Sequence, residues 1–195
     1  MPRKKSWLFP ARFSPPDAKL PIVKTLWHFA RGSAMVAGKQ VDQADKELAA
    51  LRAAVMEIPE DAPYGNRNKA RKVLVIPEQV LAGRLALAAK QNDEGIKHLR
   101  RAIQVEDELN YHEPADWHLP VRETLGAAYL QLGDPAAAEK VFRNDLDHNR
   151  RNGRALFGLA AALEAQAKSY EAGLVRQEFD AAWRNADVKL QIDEY

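Results

Sequence analysis

The sequence predicts an all-α fold, an α–α superhelix of about four helix–turn–helix repeats. The main observation is a signature of small and large apolar residues that returns four times at helical spacing, most clearly as LGAAYLQLGDPAAAEKVF. This copy predicts a repeat period of about 34 residues. One helix pair of this kind cannot bury its apolar face alone, so neighbouring pairs are expected to stack and leave a groove.

The third helix pair, at about residues 116–149, carries the clearest copy of the signature. Its small residues let two helices approach closely, and its large residues fill the space beside them. The residues predicted to form the contacts and the turn are Leu125, Gly126, Tyr129, Gly133, Ala138 and Phe142. The other three pairs are predicted at about residues 20–58, 75–108 and 152–186.

Prolines, glycines and polar runs divide the rest of the chain. Residues 1–19, rich in proline and basic residues, predict an extended arm, which is followed by a helical repeat domain at residues 20–190 and a tail at 191–195. The segment PEDAPYGNRNKARK, residues 59–72, has the composition of a long surface loop. YHEPADWHLP is an insertion before the third pair, because its two prolines disfavour a helix interior.

The first and fourth pairs carry weaker copies of the signature. In the first pair, Gly38 is predicted at the turn between the two helices. In the fourth pair, aligning Ala160 with Gly126 leaves Phe179 about three residues too late to oppose Phe142. We therefore expect an inserted residue or a wider turn in the fourth pair.

The composition excludes several kinds of chemistry. The chain has no cysteine, so it forms no disulfide, thiolate metal site or cysteine nucleophile. Its net charge of +2, with both signs mixed along the helices, does not require a nucleic-acid or membrane partner. The basic stretches PRKK, RNKARK and HNRRNGR lack the interleaved aromatic residues that would stack on bases. Without a glycine-rich phosphate loop, no cofactor is expected.

The sequence also predicts a location for the protein. No apolar run approaches the roughly 20 residues that a membrane-spanning helix needs. The basic N-terminal segment is interrupted by prolines and has no apolar core of an export signal. We therefore expect a cytoplasmic protein, unless the chain is a fragment of a longer protein with an export signal upstream.

The repeated residues resemble those of the tetratricopeptide repeat (TPR) family, most closely in the third pair, although Arg150 stands where the family commonly has proline. More specifically, the chain resembles the C-terminal part of a group of larger bacterial TPR proteins over roughly residues 20–190. This resemblance rests on the segments LPIVKTLWHFARGSA, YHEPADWHLPVRETLGAAYL, AEKVFRNDLDHNRRNGRALFGLAAALEAQ and FDAAWRNADV. It implies a TPR solenoid with a broad binding role and no particular activity.

In the TPR family the first helix of each pair lines the concave face, so the resemblance implies that polar residues there contact a ligand. The candidates are Arg31, Arg84, Arg122, Glu123 and Arg154. Four arginines suit an anionic peptide or a carboxylate, whereas solvated or ion-paired surface arginines are the alternative. The expected function is a non-catalytic scaffold for an unidentified protein or peptide.

A metal-binding or enzymatic site is one alternative. His112, Glu113 and His118 have residue types that suit a metal or acid–base chemistry. The two histidines do not share a helix face, so a closed metal site needs a further ligand from elsewhere in the chain. The competing interpretation is a rigid corner in which Tyr111 and Trp117 fill the core and Glu113 caps the next helix.

Self-association is the other alternative function. The end of a repeat array exposes an apolar face, and a second copy of the chain would cover it. The expected partners are therefore a protein or peptide, with a homo-oligomer as a further possibility.

Overall fold

The computed structural model describes residues 14–192, which form eight α-helices and one small hairpin. The strands β1 (Pro63–Tyr64) and β2 (Asn68–Lys69) pair antiparallel, with Pro63 opposite Lys69. The all-α fold predicted from the sequence is confirmed for this range. The helices are α1 (Pro21–Ala37), α2 (Val41–Met56), α3 (Ala70–Ala88), α4 (Asn92–Asp107), α5 (Val121–Gln131), α6 (Pro135–His148), α7 (Gly153–Ala165) and α8 (Ser169–Trp183).

The chain divides into two compact units, each with two helix pairs. Unit 1 ends at His118 and contains α1 to α4 with the hairpin, and unit 2 begins at Leu119 and contains α5 to α8. The predicted arm and tail lie largely outside the described residues, which do not include 1–13 and 193–195. No helix in the described range is long and apolar enough to cross a membrane.

A small residue marks the same position in the first helix of every pair, and we call it the reference residue. In each pair the first helix ends five residues after the reference residue, and the second helix begins nine residues after it. Successive reference residues are 51, 43 and 34 positions apart, so the predicted period holds only between the third and fourth pairs. The reference residues are Gly32, Gly83, Gly126 and Ala160.

The turn inside each pair repeats one backbone conformation. Seven residues after the reference residue, φ is 60°, 61°, 79° and 58° in the four pairs, at Lys39, Lys90, Gly133 and Ala167. The next residue donates its N–H to a carbonyl near the end of the first helix, as Gln40 does to Met35 at 2.8 Å. This is the Schellman arrangement, which ends a helix with one left-handed residue. Gly38 lies at the first turn as predicted, but Lys39 takes the left-handed conformation.

Phe142 occupies the centre of unit 2. It is fully buried, and a Cβ atom built on Gly126 would lie 2.6 Å from its ring. Gly158 of α7 also approaches this ring. The predicted contact between Gly126 and Phe142 is therefore confirmed, and a second glycine from the next helix completes the space for the ring.

The prediction of extra residues in the fourth pair is wrong. Its turn has three residues between α7 and α8, as the third pair has between α5 and α6. Ala172 is buried in α8 at the position that Ala138 occupies in α6. Arg176, not Phe179, therefore takes the position of Phe142. Phe179 packs against Phe157 and Trp183 instead.

The second pair begins earlier than the sequence predicted. α3 starts at Ala70, and Pro77 lies inside it. Proline is preferred in the first turn of a helix, which is why the sequence places the start close to Pro77. Val73 and Leu74 are fully buried in the added turn, and this burial offsets the backbone hydrogen bond that the proline removes. The predicted loop is correspondingly shorter and contains the hairpin.

Candidate partner-binding sites

Arg31 lies on α1 between an aromatic ring and a carboxylate. Its guanidinium carbon is 4.3 Å from the ring centroid of Trp27, and its Nη2 is 3.1 Å from Oε1 of Glu47. The other oxygen of Glu47 lies 2.7 Å from Nδ1 of His28. These contacts hold the guanidinium in place while 28% of the Arg31 side chain stays exposed. Arg84, the other candidate in unit 1, is half-buried on α3.

The three candidates in unit 2 lie in one polar network at the junction of α5, α6 and α7. Arg154 Nε donates to Glu123 Oε2 at 2.6 Å, and Arg122 Nε donates to Asn144 Oδ1 at 2.6 Å. Arg122 and Glu123 are buried, whereas 32% of the Arg154 side chain is exposed. The structure therefore joins two of the predicted residues in an ion pair, and only Arg154 reaches the surface to a substantial extent.

Asp145 extends this network into the interior, and the sequence interpretation missed it. Asn152 donates its side-chain amide to Asp145 at 2.9 Å and to Glu123 at 2.8 Å. Burial raises the pKa of the Asp145 carboxyl above its usual range, and the amide of Asn149 and that of Asn152 oppose the rise. The carboxylate of Glu123 raises it further, while the guanidinium of Arg122 lowers it.

The corner at YHEPADWHLP places its candidate residues apart. His112 Nδ1 lies 2.9 Å from the carbonyl oxygen of Pro114, and Glu113 accepts a hydrogen bond from the Tyr111 hydroxyl. His118 is exposed. Within residues 14–192, no three His, Cys, Asp or Glu side chains come together as a metal-binding group.

The competing interpretation, a rigid corner with Tyr111 and Trp117 in the core and Glu113 as a helix cap, is right only for Trp117. Trp117 is buried as predicted, with its ring 5.5 Å from that of Phe29. Tyr111 does not fill the core, because it is 78% exposed. Glu113 does not cap the next helix: α5 begins after Pro120, without a side-chain cap.

The two irregular segments of unit 1 contact each other, which the sequence did not predict. Asn68 of the hairpin donates to Asp116 Oδ2 at 2.7 Å and accepts the backbone N–H of Asn110 at 2.9 Å. Burial, and then the Asp116 carboxylate, raise the pKa of Tyr64 above its usual range. Turn residues such as Gly65 indicate a hairpin, but its partner lies more than forty positions further along the chain.

A cleft in unit 1 lies between the second helices, α2 and α4. The sequence did not indicate it. Its volume is about 620 Å³. The C-terminal half of α3 forms the floor, where small alanine side chains leave the space open. Acidic residues of α2 and of α4 lie on the rim. The lining includes Asp45, Lys46, Leu48, Arg52, Ala82, Leu85, Ala86, Ala89, Gln91, Glu94 and His98.

Helix α8 carries exposed apolar residues on its outer face. Tyr170 is 81% exposed, and Leu174, one helical turn later, is also exposed. The predicted self-association would use such a face, but nothing in the structure indicates what covers it. Self-association stays a prediction.

This arrangement of helix pairs defines the class: the chain has a TPR-like fold. It is similar to the solved structure of nearly identical TPR-like repeats assigned to a kinesin light chain of Podosopora anserina, with 17% identity, 85% of this chain and 78% of that chain covered, and a TM-score of 0.55. A single-substitution variant of those repeats matches with 17% identity, 89% and 78% coverage, and a TM-score of 0.56. At this identity the likeness establishes the fold alone.

No family model and no curated protein matches the chain. The resemblance to a bacterial group of larger TPR proteins therefore stays a prediction.

Proposed function

We propose that this protein is a non-catalytic scaffold that binds an acidic peptide or protein segment through arginines on the first helices of its pairs. TPR-like folds generally serve protein interaction, which supports the coarser part of the proposal. The observation that carries the finer part is that partly exposed arginines of both units are held by buried carboxylates. Arg31 is held by Glu47, and Arg154 by Glu123.

A held arginine is a better ligand for a carboxylate than a mobile one. A guanidinium has five N–H donors in a rigid fork, so an arginine bonded to one carboxylate retains the capacity to bind another. The ring of Trp27 and the carboxylate of Glu47 restrict the rotamers of Arg31, which lowers the entropy lost on binding. The same argument applies to Arg154, whose Nε bonds to Glu123.

The test is peptide binding by the full chain. A synthetic peptide array with acidic, neutral and basic members is probed with the protein and with the variant Arg31→Gln/Arg154→Gln, which keeps hydrogen-bond donors but removes the charges. We expect acidic peptides to be preferred and their binding to fall about tenfold or more in the variant.

The matched control is Lys97→Gln/Lys140→Gln, which removes two exposed charges on the second helices, α4 and α6. Circular dichroism first establishes that both variants are folded. Equal binding by the protein, the arginine variant and the lysine variant would reject the arginine sites. If both variants lost the preference for acidic peptides equally, net charge alone would account for it, and the arginine sites would be rejected.

A further inference from the structure

The cleft between α2 and α4 corresponds to the groove between α6 and α8 in unit 2. Both lie between the second helices of successive pairs. In unit 2, Glu139 of α6 accepts from Lys168 at 2.7 Å and from Gln166 at 2.8 Å. Arg143 bonds to Glu139 at 2.9 Å and to Glu171 of α8 at 3.0 Å. Cations therefore tie the two helices together across this groove.

The repeat register identifies the corresponding residues in unit 1. Asp45 stands thirteen residues after its reference residue, as Glu139 does, and Glu94 stands eleven after, as Glu171 does. The two carboxylates are therefore retained. The positions of Arg143, Gln166 and Lys168 are taken by Ala49, Ala89 and Gln91, respectively.

At these aligned positions unit 1 keeps both acidic groups and has uncharged residues in place of both cations. The described ion pairs do not include Asp45, and Glu94 pairs only with Lys97 of its own helix, at 3.3 Å between exposed side chains. The basic lining residues are Lys46, Arg52, which pairs with Glu78 at 2.9 Å, and His98, whose Nδ1 lies 2.7 Å from Oε1 of Gln79. At the repeat position of Arg143, unit 1 has the uncharged Ala49.

The floor below this rim is lined by apolar side chains that expose little surface. Leu48, Leu85 and Ala82 belong to one core cluster and contribute the inner surface. The volume of about 620 Å³ falls within the usual range for ligand sites. An occupant therefore needs a cationic group for the rim and an apolar group for the floor.

We propose that this cleft is a second docking site, which binds a peptide segment with an arginine beside an apolar side chain. The partner's arginine takes the place that Arg143 has in unit 2 and bridges Asp45 and Glu94, and the apolar side chain packs on Leu85 and Ala82. This site goes beyond the proposed function, because it lies on the second helices and selects basic instead of acidic segments.

The test uses the full chain and a fluorescent peptide with Leu-Arg-Leu-Arg at its centre, read by anisotropy at low and high salt. A peptide with both arginines replaced by glutamate is the control ligand. We expect binding of the arginine peptide alone, with an affinity that falls as salt rises because the pairing is electrostatic. Asp45→Asn/Glu94→Gln is expected to weaken it about tenfold or more.

The sharpest variant is Ala49→Arg, which supplies within the chain the cation that Arg143 supplies in unit 2. It is expected to remove peptide binding and to raise the melting temperature, a combination that misfolding does not produce. Ala49 is exposed, so the longer side chain has room. Asp93→Asn, next to Glu94 but outside the cleft lining, is the matched control and is expected to bind as the unmodified chain does.

Three outcomes would overturn the proposal. The first is no binding of the arginine peptide, or binding that Ala49→Arg leaves unchanged. The second is stronger binding of the glutamate peptide. The third is a concentration-dependent increase in mass of the chain alone that Ala49→Arg abolishes, which would make a second copy the occupant.

Discussion

Units 1 and 2 have the same repeated helix pairs but join them differently. In unit 2, whose reference residues are 34 positions apart, polar side chains tie the pairs together through Asn152 and through Glu139. In unit 1, whose reference residues are 51 apart, the inserted hairpin is tied through Asn68 to the segment before α5, and a cleft stays open between α2 and α4. The comparison shows that apolar residues set the register, whereas polar residues decide which grooves are closed.

The largest expected effect concerns the apolar centre of unit 2. Phe142→Ala is expected to lower the free energy of unfolding by about 3–5 kcal/mol, because it removes a fully buried ring and leaves a cavity between Gly126 and Gly158. Arg176→Ala, at the same repeat position in α8, is expected to cost less than about 1 kcal/mol, because its contacts are largely exposed. Urea unfolding of both variants measures the difference, and similar losses would contradict the difference in burial between the two positions.

The second prediction tests the polar connections of each unit by a separate substitution. Asn152→Ala removes the cap on the N–H of Arg154 and the amide donated to Glu123 and Asp145, and is expected to cost about 2–3 kcal/mol. Asn68→Ala removes the corresponding connection in unit 1. Hydrogen exchange should show faster exchange in unit 2 for the first variant and in unit 1 for the second. Faster exchange in both units for either variant would mean that they do not unfold separately.

The third effect is a pH dependence that belongs to unit 2. The bonded ammonium of Lys168, against the opposing effect of burial and together with Gln166 and Arg143, lowers the pKa of Glu139 from 4.5 to about 2. The resulting stability is complete above the unfolded pKa and is lost as the pH falls from 4.5 towards 2. Glu139→Gln is therefore expected to have a lower melting temperature at neutral pH and a shallower fall on acidification.

The matched variant for this pH test is Asp45→Asn, at the same repeat position in unit 1. It removes a carboxylate that no described cation pairs with, so we expect a neutral-pH melting temperature equal to or above that of the unmodified chain. A loss as large as that of Glu139→Gln would contradict the difference between the two grooves.

The smallest effect tests the common turn. Ala167 adopts a φ of 58°, which costs a residue with a Cβ about 1–2 kcal/mol, partly offset by the greater chain entropy of glycine. Ala167→Gly is expected to stabilise unit 2 by about 0.5–1 kcal/mol, and Gly133→Ala to destabilise it by a similar amount. Thermal unfolding measures both changes. The same sign for both substitutions would show that the four turns are not equivalent.

The predictions from the sequence succeeded where a local pattern is sufficient. The spacing of Gly126, Gly133 and Phe142 predicts two helices in contact and a turn, because helix periodicity and the conformational freedom of glycine depend on neighbouring residues. They failed at Phe179 and at the start of α3. An aromatic residue near the expected position and a proline are strong local signals, but the packing of Ala172 and Leu74 decides the register.

For the candidate sites, too, the sequence predicted local features but not contacts between distant segments. The sequence indicated arginines on the first helices as residue types that suit an anionic partner. It did not indicate that Glu123 holds Arg154, nor that Asn68 reaches Asp116, because these pairs lie far apart along the chain. The sequence by itself determined an all-α repeat and the turn of its clearest pair, since these depend on periodicity and backbone preference. Only the tertiary structure decided which charges are paired and which groove is open, because ion pairing and cleft volume depend on distances between segments that the order of residues does not specify.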